Sequence, residues 1–267
     1  MTDPRQGDDR TDVGEVVAQM QSRLDALPPT LHRRRMFLGT YQRTTAAVGT
    51  AIEAGSFEDA AWVARWDVAF AELYFRAHDA DLVGARVARP WRLAFDAPDD
   101  LHELVHVLLG INAHVNYDLP QALLQVISVD DFADPVLMDR RRRDHERIDG
   151  VLHARVSAEE DQLEPGSFVD RLLAPLNRLG TKRFLAEARR KVWLNTFQLQ
   201  AARLLGADAY RTRLAELELL WAAKIADLMA PGQVLLRLAV AGFGVTLPPP
   251  AGDVAVPGQV RLDDLAD

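Results

Sequence analysis

With 267 residues, 48% of them hydrophobic and 26% charged, and a net charge of -8, the chain has the make-up of an ordinary globular protein and lacks the basic footprint of a nucleic-acid binder. It contains no Cys, which excludes disulfides, thiolate zinc sites, Cys-ligated iron–sulfur clusters and cysteine nucleophiles, and fits a reducing compartment. The polar, acidic opening MTDPRQGDDRTD is unlike a secretory signal, and no run of about 18 apolar residues occurs, so the expectation is a cytoplasmic protein without membrane insertion.

Glycine and proline punctuate long segments with helical spacing. Residues 1–10 read as a flexible N-terminus, residues 11–246 as one helical domain, and the Pro/Gly-rich residues 247–267 as a tail. In chain order, residues 12–27 place Val16, Val17, Met20, Leu24 and Leu27 near one face, and Pro28-Pro29 ends the run. A second helix over 31–54 stops at Gly55, with Met36, Leu38, Tyr41 and Val48 as core. Ser56 is the expected N-cap of the third, FEDAAWVARWDVAFAELYFRAHDA. A loop with a short WRLAF segment follows, and Asp99 or Asp100 starts DLHELVHVLLGINAHVNYDLPQALLQVI. Pro120 is expected to kink or break that element, having no N–H for the carbonyl of Asn116. Further helices are predicted at 135–158, 167–178, 180–205, 208–229 and 232–241. With no alternating runs, the prediction is all-α, a single bundle of about eight helices.

Two His-containing pairs lie on the central element. His102 and His106 bracket Glu103 in H-E-L-V-H, the zinc-protease signature with Glu as general base. The extended signature requires Gly and His where Leu109 and Asn112 stand, and no substrate-aligning strand is predicted, so these residues read as a polar, partly exposed first turn. His114 and Asp118 form the second pair, also at i,i+4. About 12 Å of helix rise separates His106 from His114, so the two pairs are competing sites. Asn112, His114, Asn116 and Asp118 make a polar row in an otherwise apolar helix, where an unpaired charge is costly.

GINAHVNYDLPQAL resembles the N-A-H-I-N-x-D-L-P signature of an uncharacterised bacterial, actinobacterial-type, all-helical family of unknown function. RMFLGTYQRTTAAV, FEDAAWVARWDVAFAELYF and PWRLAF resemble three further stretches of that family, with Val115 and Trp66 as departures at apolar positions. The resemblance covers about residues 33–120 and implies a site without implying a reaction. The H-x-x-x-D pattern on a helical scaffold is also faintly similar to zinc-dependent phospholipase C and P1-type nucleases, in which such residues hold metal.

The expected site places a divalent metal (Zn, Mn, Fe or Mg) on His114 and Asp118. Asp67 is the third ligand because ARWDVAF sets a carboxylate in an apolar helix, and Asn112 and Asn116 orient ligands or substrate. The implied function is a metal-dependent hydrolase acting on a small molecule; the alternative is a non-catalytic binding or scaffold protein in which the row is structural. DDFAD, residues 130–134, matches the D-D-x-x-D magnesium motif of isoprenoid lyases and cyclases, but lacks its companion motif and reads as the N-cap of the next helix. The Arg140–Arg143 cluster, interleaved with acids, reads as a solvated face, and Trp62, Trp66, Tyr74, Trp91 and Trp193 as core anchors. No P-loop, dinucleotide-binding or nucleophile-elbow motif appears. Oligomeric state is open.

Overall fold

The structure is a computed structural model and describes residues 5–101, 103–160 and 178–230. Among the described residues every regular element is helical and none is a strand, as the 3.6-residue spacing predicts. His102, residues 167–177 of one expected helix, the expected helix at 232–241 and the tail from Leu247 lie outside the described residues.

Helix α1 (Arg5–Ala26) starts earlier than the expected position 12, and lays Val13, Val16, Met20 and Leu24 against α2 (His32–Glu53) and α3 (Ala60–Leu82). The entry to α3 differs from expectation. Asp59, and not Ser56, caps it, its carboxylate accepting the Trp62 N–H at 2.9 Å. A distant residue selects this start: Asp144 accepts the N–H groups of Glu58 and Asp59, both at 2.8 Å. WRLAF forms most of a short helix, α4 (Arg89–Phe95).

The central element is continuous: α5 (Glu103–Ile111), a π-helical segment (Asn112–Asp118) and α6 (Leu119–Val126). Pro120 therefore does not break it. The chain widens instead, so that the Leu119 N–H donates to the His114 carbonyl five residues back. Shifting partners by one residue accommodates a proline that has no N–H to offer, and such π segments recur at functional sites. This rod lies at the middle of the molecule, touching α2, α3 and α4. Gly110 permits the close approach of α2, since a Cβ there would come within 2.6 Å of the Phe37 ring.

Beyond a turn at residues 128–134 runs α7 (Pro135–Glu160), whose first N–H groups, on Val136 and Leu137, donate to Asp134 Oδ1 as the N-cap reading of DDFAD expects. Then come α8 (Arg178–Leu205) and α9 (Ala207–Met229). Arg203 of α8 closes α6 by donating to the carbonyls of Leu124 and Ile127 at 2.9 and 3.3 Å. The basic cluster on α7 is solvated only in part. Arg141 is buried, ion-paired with Asp59 and 4.8 Å over the Trp62 ring, because α7 packs where α3 begins. The five aromatic anchors are buried as expected.

Candidate active site

The π segment carries the polar row into the core: Asn112, His114, Asn116 and Asp118 are all buried. His114 Nδ1 meets Asp118 Oδ2 at 3.0 Å, and the same oxygen accepts the Trp91 indole N–H at 2.8 Å. Indole N–H can only donate, so Oδ2 acts as an acceptor there. A carboxylate oxygen accepting from both neighbours keeps the proton of neutral His114 on Nδ1 and leaves the lone pair on Nε2. Burial pushes the Asp118 carboxyl up from its ordinary range, and the bonds from His114 and Trp91 oppose that rise. Burial likewise pushes His114 down, against the pull of Asp118.

The His114 ring is clamped. Phe70 stacks on it with ring centres 3.5 Å apart and planes 3° apart, and Tyr41 meets it edge-on at 4.5 Å. Its Nε2 has no hydrogen-bond partner. His114 borders a cavity of about 230 Å³ lined by residues of α2, α3, the central element, α7 and α8, with a wall dominated by side chains such as Val48, Trp66, Phe70 and Val192. Among the other buried oxygens without partners on residues of the same wall are Asp67 Oδ2 and Asn116 Oδ1. Burial alone pushes Asp67 up to about 7. It therefore exchanges a proton near neutral pH. Arg189 and Asp149, paired at 2.6 Å, also line the cavity.

The structure thus brings His114, Asn116 and Asp67 to one cavity, while Asp118 and Asn112 serve other partners. Asn112 donates Nδ2 to the Leu108 carbonyl at 2.8 Å, and its Oδ1 accepts from Asn116 Nδ2 at 3.3 Å. Its amide is engaged within the helix and does not line the cavity. Asp118 meets the imidazole directly, the position of a residue that orients His. Among the described residues no group of three or more His, Asp or Glu side chains is placed to hold a metal ion. The donor set expected from the sequence, His114, Asp118 and Asp67, does not form such a group there.

Of the competing pair, His106 is buried, not part of an exposed turn, because α5 packs on α2, while Glu103 is exposed. In DDFAD, Asp134 is engaged as a cap and Asp131 accepts the Ser128 N–H at 3.2 Å, which leaves the motif a turn. Sequence reasoning missed Trp91 as the second donor to Asp118, and Thr45 and Arg189 as lining groups. A signal existed on α2, where Phe37, Tyr41, Thr45 and Val48 share one helical face and all border the cavity.

No helix among the described residues is long and apolar enough to cross a membrane. Comparison with curated proteins and with solved structures finds no match, so nothing there extends the fainter likeness to phospholipase C and P1-type nucleases. A family model does match residues 13–231, from α1 through the end of α9, and spans the His114–Asp118 pair, Asp67 and the cavity around them. The chain accordingly belongs to the family of unknown function DUF5995.

Proposed function

We propose that this protein binds a small, largely apolar molecule in the His114 cavity and acts on it by proton transfer. The observation that carries the reading is the Trp91–Asp118–His114 chain, which ends at an unpartnered Nε2 on the wall of an apolar cavity. In this reading Nε2 accepts a proton from a hydroxyl of the ligand or from a water that attacks it. The imidazolium that forms is stabilised by the Asp118 carboxylate and by the face of Phe70. Asp67, pushed up to about 7, supplies or takes the second proton, and the Asn116 oxygen accepts a hydrogen bond that orients the ligand. Hydrolysis of a small ester by such a water belongs to this class.

The test pairs binding with turnover. Short-chain nitrophenyl esters are offered to the parent, to His114→Gln and to Asp118→Asn, with displacement of an apolar fluorophore reporting occupancy. Occupancy retained in both variants, with turnover down about 100-fold or more, supports the reading. Occupancy and turnover unchanged in His114→Gln would sink it. A rival reading keeps the divalent metal (Zn, Mn, Fe or Mg) on His114 Nε2 and Asp67, both unpartnered donors. It requires stoichiometric metal in untagged protein and loss of turnover on chelation, whereas the proton-transfer reading requires neither.

A further inference from the structure

A second cavity, of about 70 Å³, lies where the first turn of α2 meets α4, α5 and the loop before α5. It is independent of the reading given to His114, although Phe37 lines both cavities. Three basic side chains line it, and each keeps a buried atom without a partner: Arg33 Nε, Arg34 Nη1 and His106 Nε2. His106 is only 7% exposed. A buried guanidinium N–H without an acceptor is costly, because it has given up water and gained nothing. Other donors of these arginines already have partners. Arg33 reaches the side chain and carbonyl of Asp99, while Arg34 pairs with Asp81 and lies 4.1 Å over the Phe95 ring.

We infer that this cavity is a phosphate site, taking a tetrahedral phosphate between Arg33, Arg34 and His106. The planar guanidinium groups match phosphate oxygens, and a cavity of this size holds a handful of water-sized groups, the count of a small oxyanion. Phosphate is favoured over other oxyanions by the histidine. His106 Nε2 is a buried atom left without a partner, and burial, ahead of the neighbouring Arg33 and His32, pushes the ring's pKa down from its ordinary value, which favours the neutral form. A neutral ring with its proton on Nδ1 presents a lone pair at Nε2. Hydrogen phosphate satisfies both requirements, offering oxygens to the arginines and a P–OH to Nε2. Sulfate offers no O–H at neutral pH. Asp99, its side chain 96% exposed, is the one carboxylate lining the cavity among the described residues, and it pairs with Arg33.

The experiment is isothermal titration of the full chain with inorganic phosphate, phenyl phosphate and sulfate at neutral pH. Inorganic phosphate is expected to bind with the higher affinity, because a phosphate monoester, with its second ionisation near about 6, has mostly lost its P–OH at neutral pH. Tighter binding of phenyl phosphate would point to the end of an ester as the natural source and take the discrimination away from His106. Sulfate should bind at least about tenfold more weakly, the effect of one lost hydrogen bond at a buried site. Arg34→Gln should weaken phosphate binding about tenfold or more. Because Arg34 also pairs with Asp81, the decisive variant is Asp99→Asn at the exposed position, which should tighten phosphate binding several-fold by removing the competing carboxylate. No heat from either phosphate up to about 10 mM, a range that reaches well past millimolar dissociation constants, overturns the inference. So does equal affinity for sulfate, or Asp99→Asn that leaves phosphate affinity unchanged.

Discussion

Two buried aspartates mark two different regions of the molecule. Asp144, at the seam between α7 and the start of α3, accepts two backbone N–H groups and the Arg147 guanidinium at 2.9 Å. Asp67, halfway along α3, has an oxygen with no partner at the edge of a cavity. Their burial is nearly equal, at 0% and 3% exposure, so burial does not distinguish them. Partners do. A carboxylate whose oxygens are filled by the fold is holding the fold, and one left open beside a cavity is available to something the chain does not itself supply.

The largest expected effect breaks the seam. Asp144→Ala removes the acceptor for the Glu58 and Asp59 N–H groups and leaves them, with Arg147, facing an apolar methyl. Loss of one partner from a buried charged network costs about 3–5 kcal/mol. Urea denaturation of parent and variant measures it. A cost below about 1 kcal/mol would mean that filled partners do not identify a structural carboxylate.

Asp67→Asn sharpens the other side. The folded state raises Asp67 to about 7 from an ordinary 3.8, so the folded protein holds a proton that the unfolded chain has released. The stability this contributes is complete below about pH 4 and is lost as pH rises through 7, at up to about 1.4 kcal/mol per pH unit within that window. Asn at this position carries no such proton, so thermal melts across pH 4–8 should show that component of the slope gone. His114 and His145, held down by burial, act in the opposite sense and cost stability as pH falls below about 6.5 in parent and variant alike. A slope between pH 4 and 7 identical in parent and variant would remove Asp67 from its assigned role.

Trp91→Phe tests the link between fold and site. It deletes one of the two bonds to Asp118 Oδ2 while keeping an aromatic ring against Phe37 and Tyr74. The loss of a charge-assisted bond is worth about 1.5–3 kcal/mol, read as a lower melting temperature. With one donor fewer, Asp118 is a weaker anchor for the imidazole, and turnover should fall more than ligand occupancy does. Equal falls in both would make Trp91 a packing residue only.

The all-helical fold was legible because long segments repeat at 3.6 residues and none alternates. The polar row at 112–118 and the lone carboxylate in ARWDVAF were legible as chemical exceptions to their surroundings. What each exception does was not. An unbroken helix and a π-widened one differ by one residue per turn, and both keep His114 and Asp118 on a shared face. Whether Asp118 grips the imidazole or stands beside it depends on Trp91, 27 residues away. The start of α3 is decided by Asp144, 85 residues on from Asp59, and no local capping rule could choose Asp59 over Ser56. Nothing local in the sequence singles out Arg33 and Arg34; the fold makes them notable by bringing His106 of α5 to the cavity they line.

The smallest effect belongs to the exposed half of the seam. Arg143 donates Nε and Nη2 to the two oxygens of Glu58, each at 2.8 Å, and also pairs with Asp139. The Arg143 hydrogen bond is the main cause holding Glu58 down at about 2, well below the usual carboxylate range. A depressed carboxylate contributes stability above its ordinary range and loses it as pH falls, so any contribution would disappear in acid. Both groups, however, are open to solvent, where water and salt weaken the attraction and the two long side chains lose freedom to make it. Glu58 also keeps a second partner in Arg147 at 2.8 Å after Arg143 is gone. Arg143→Ala should therefore leave the melting temperature unchanged at physiological salt, with at most a small loss at low salt that vanishes in about 0.5 M salt, where screening acts within a few ångströms. A loss matching that of Asp144→Ala, insensitive to salt, would mean that the surface arginines and the buried aspartate form one cooperative network, and the line drawn here between filled and open carboxylates would have to include the charges that surround them.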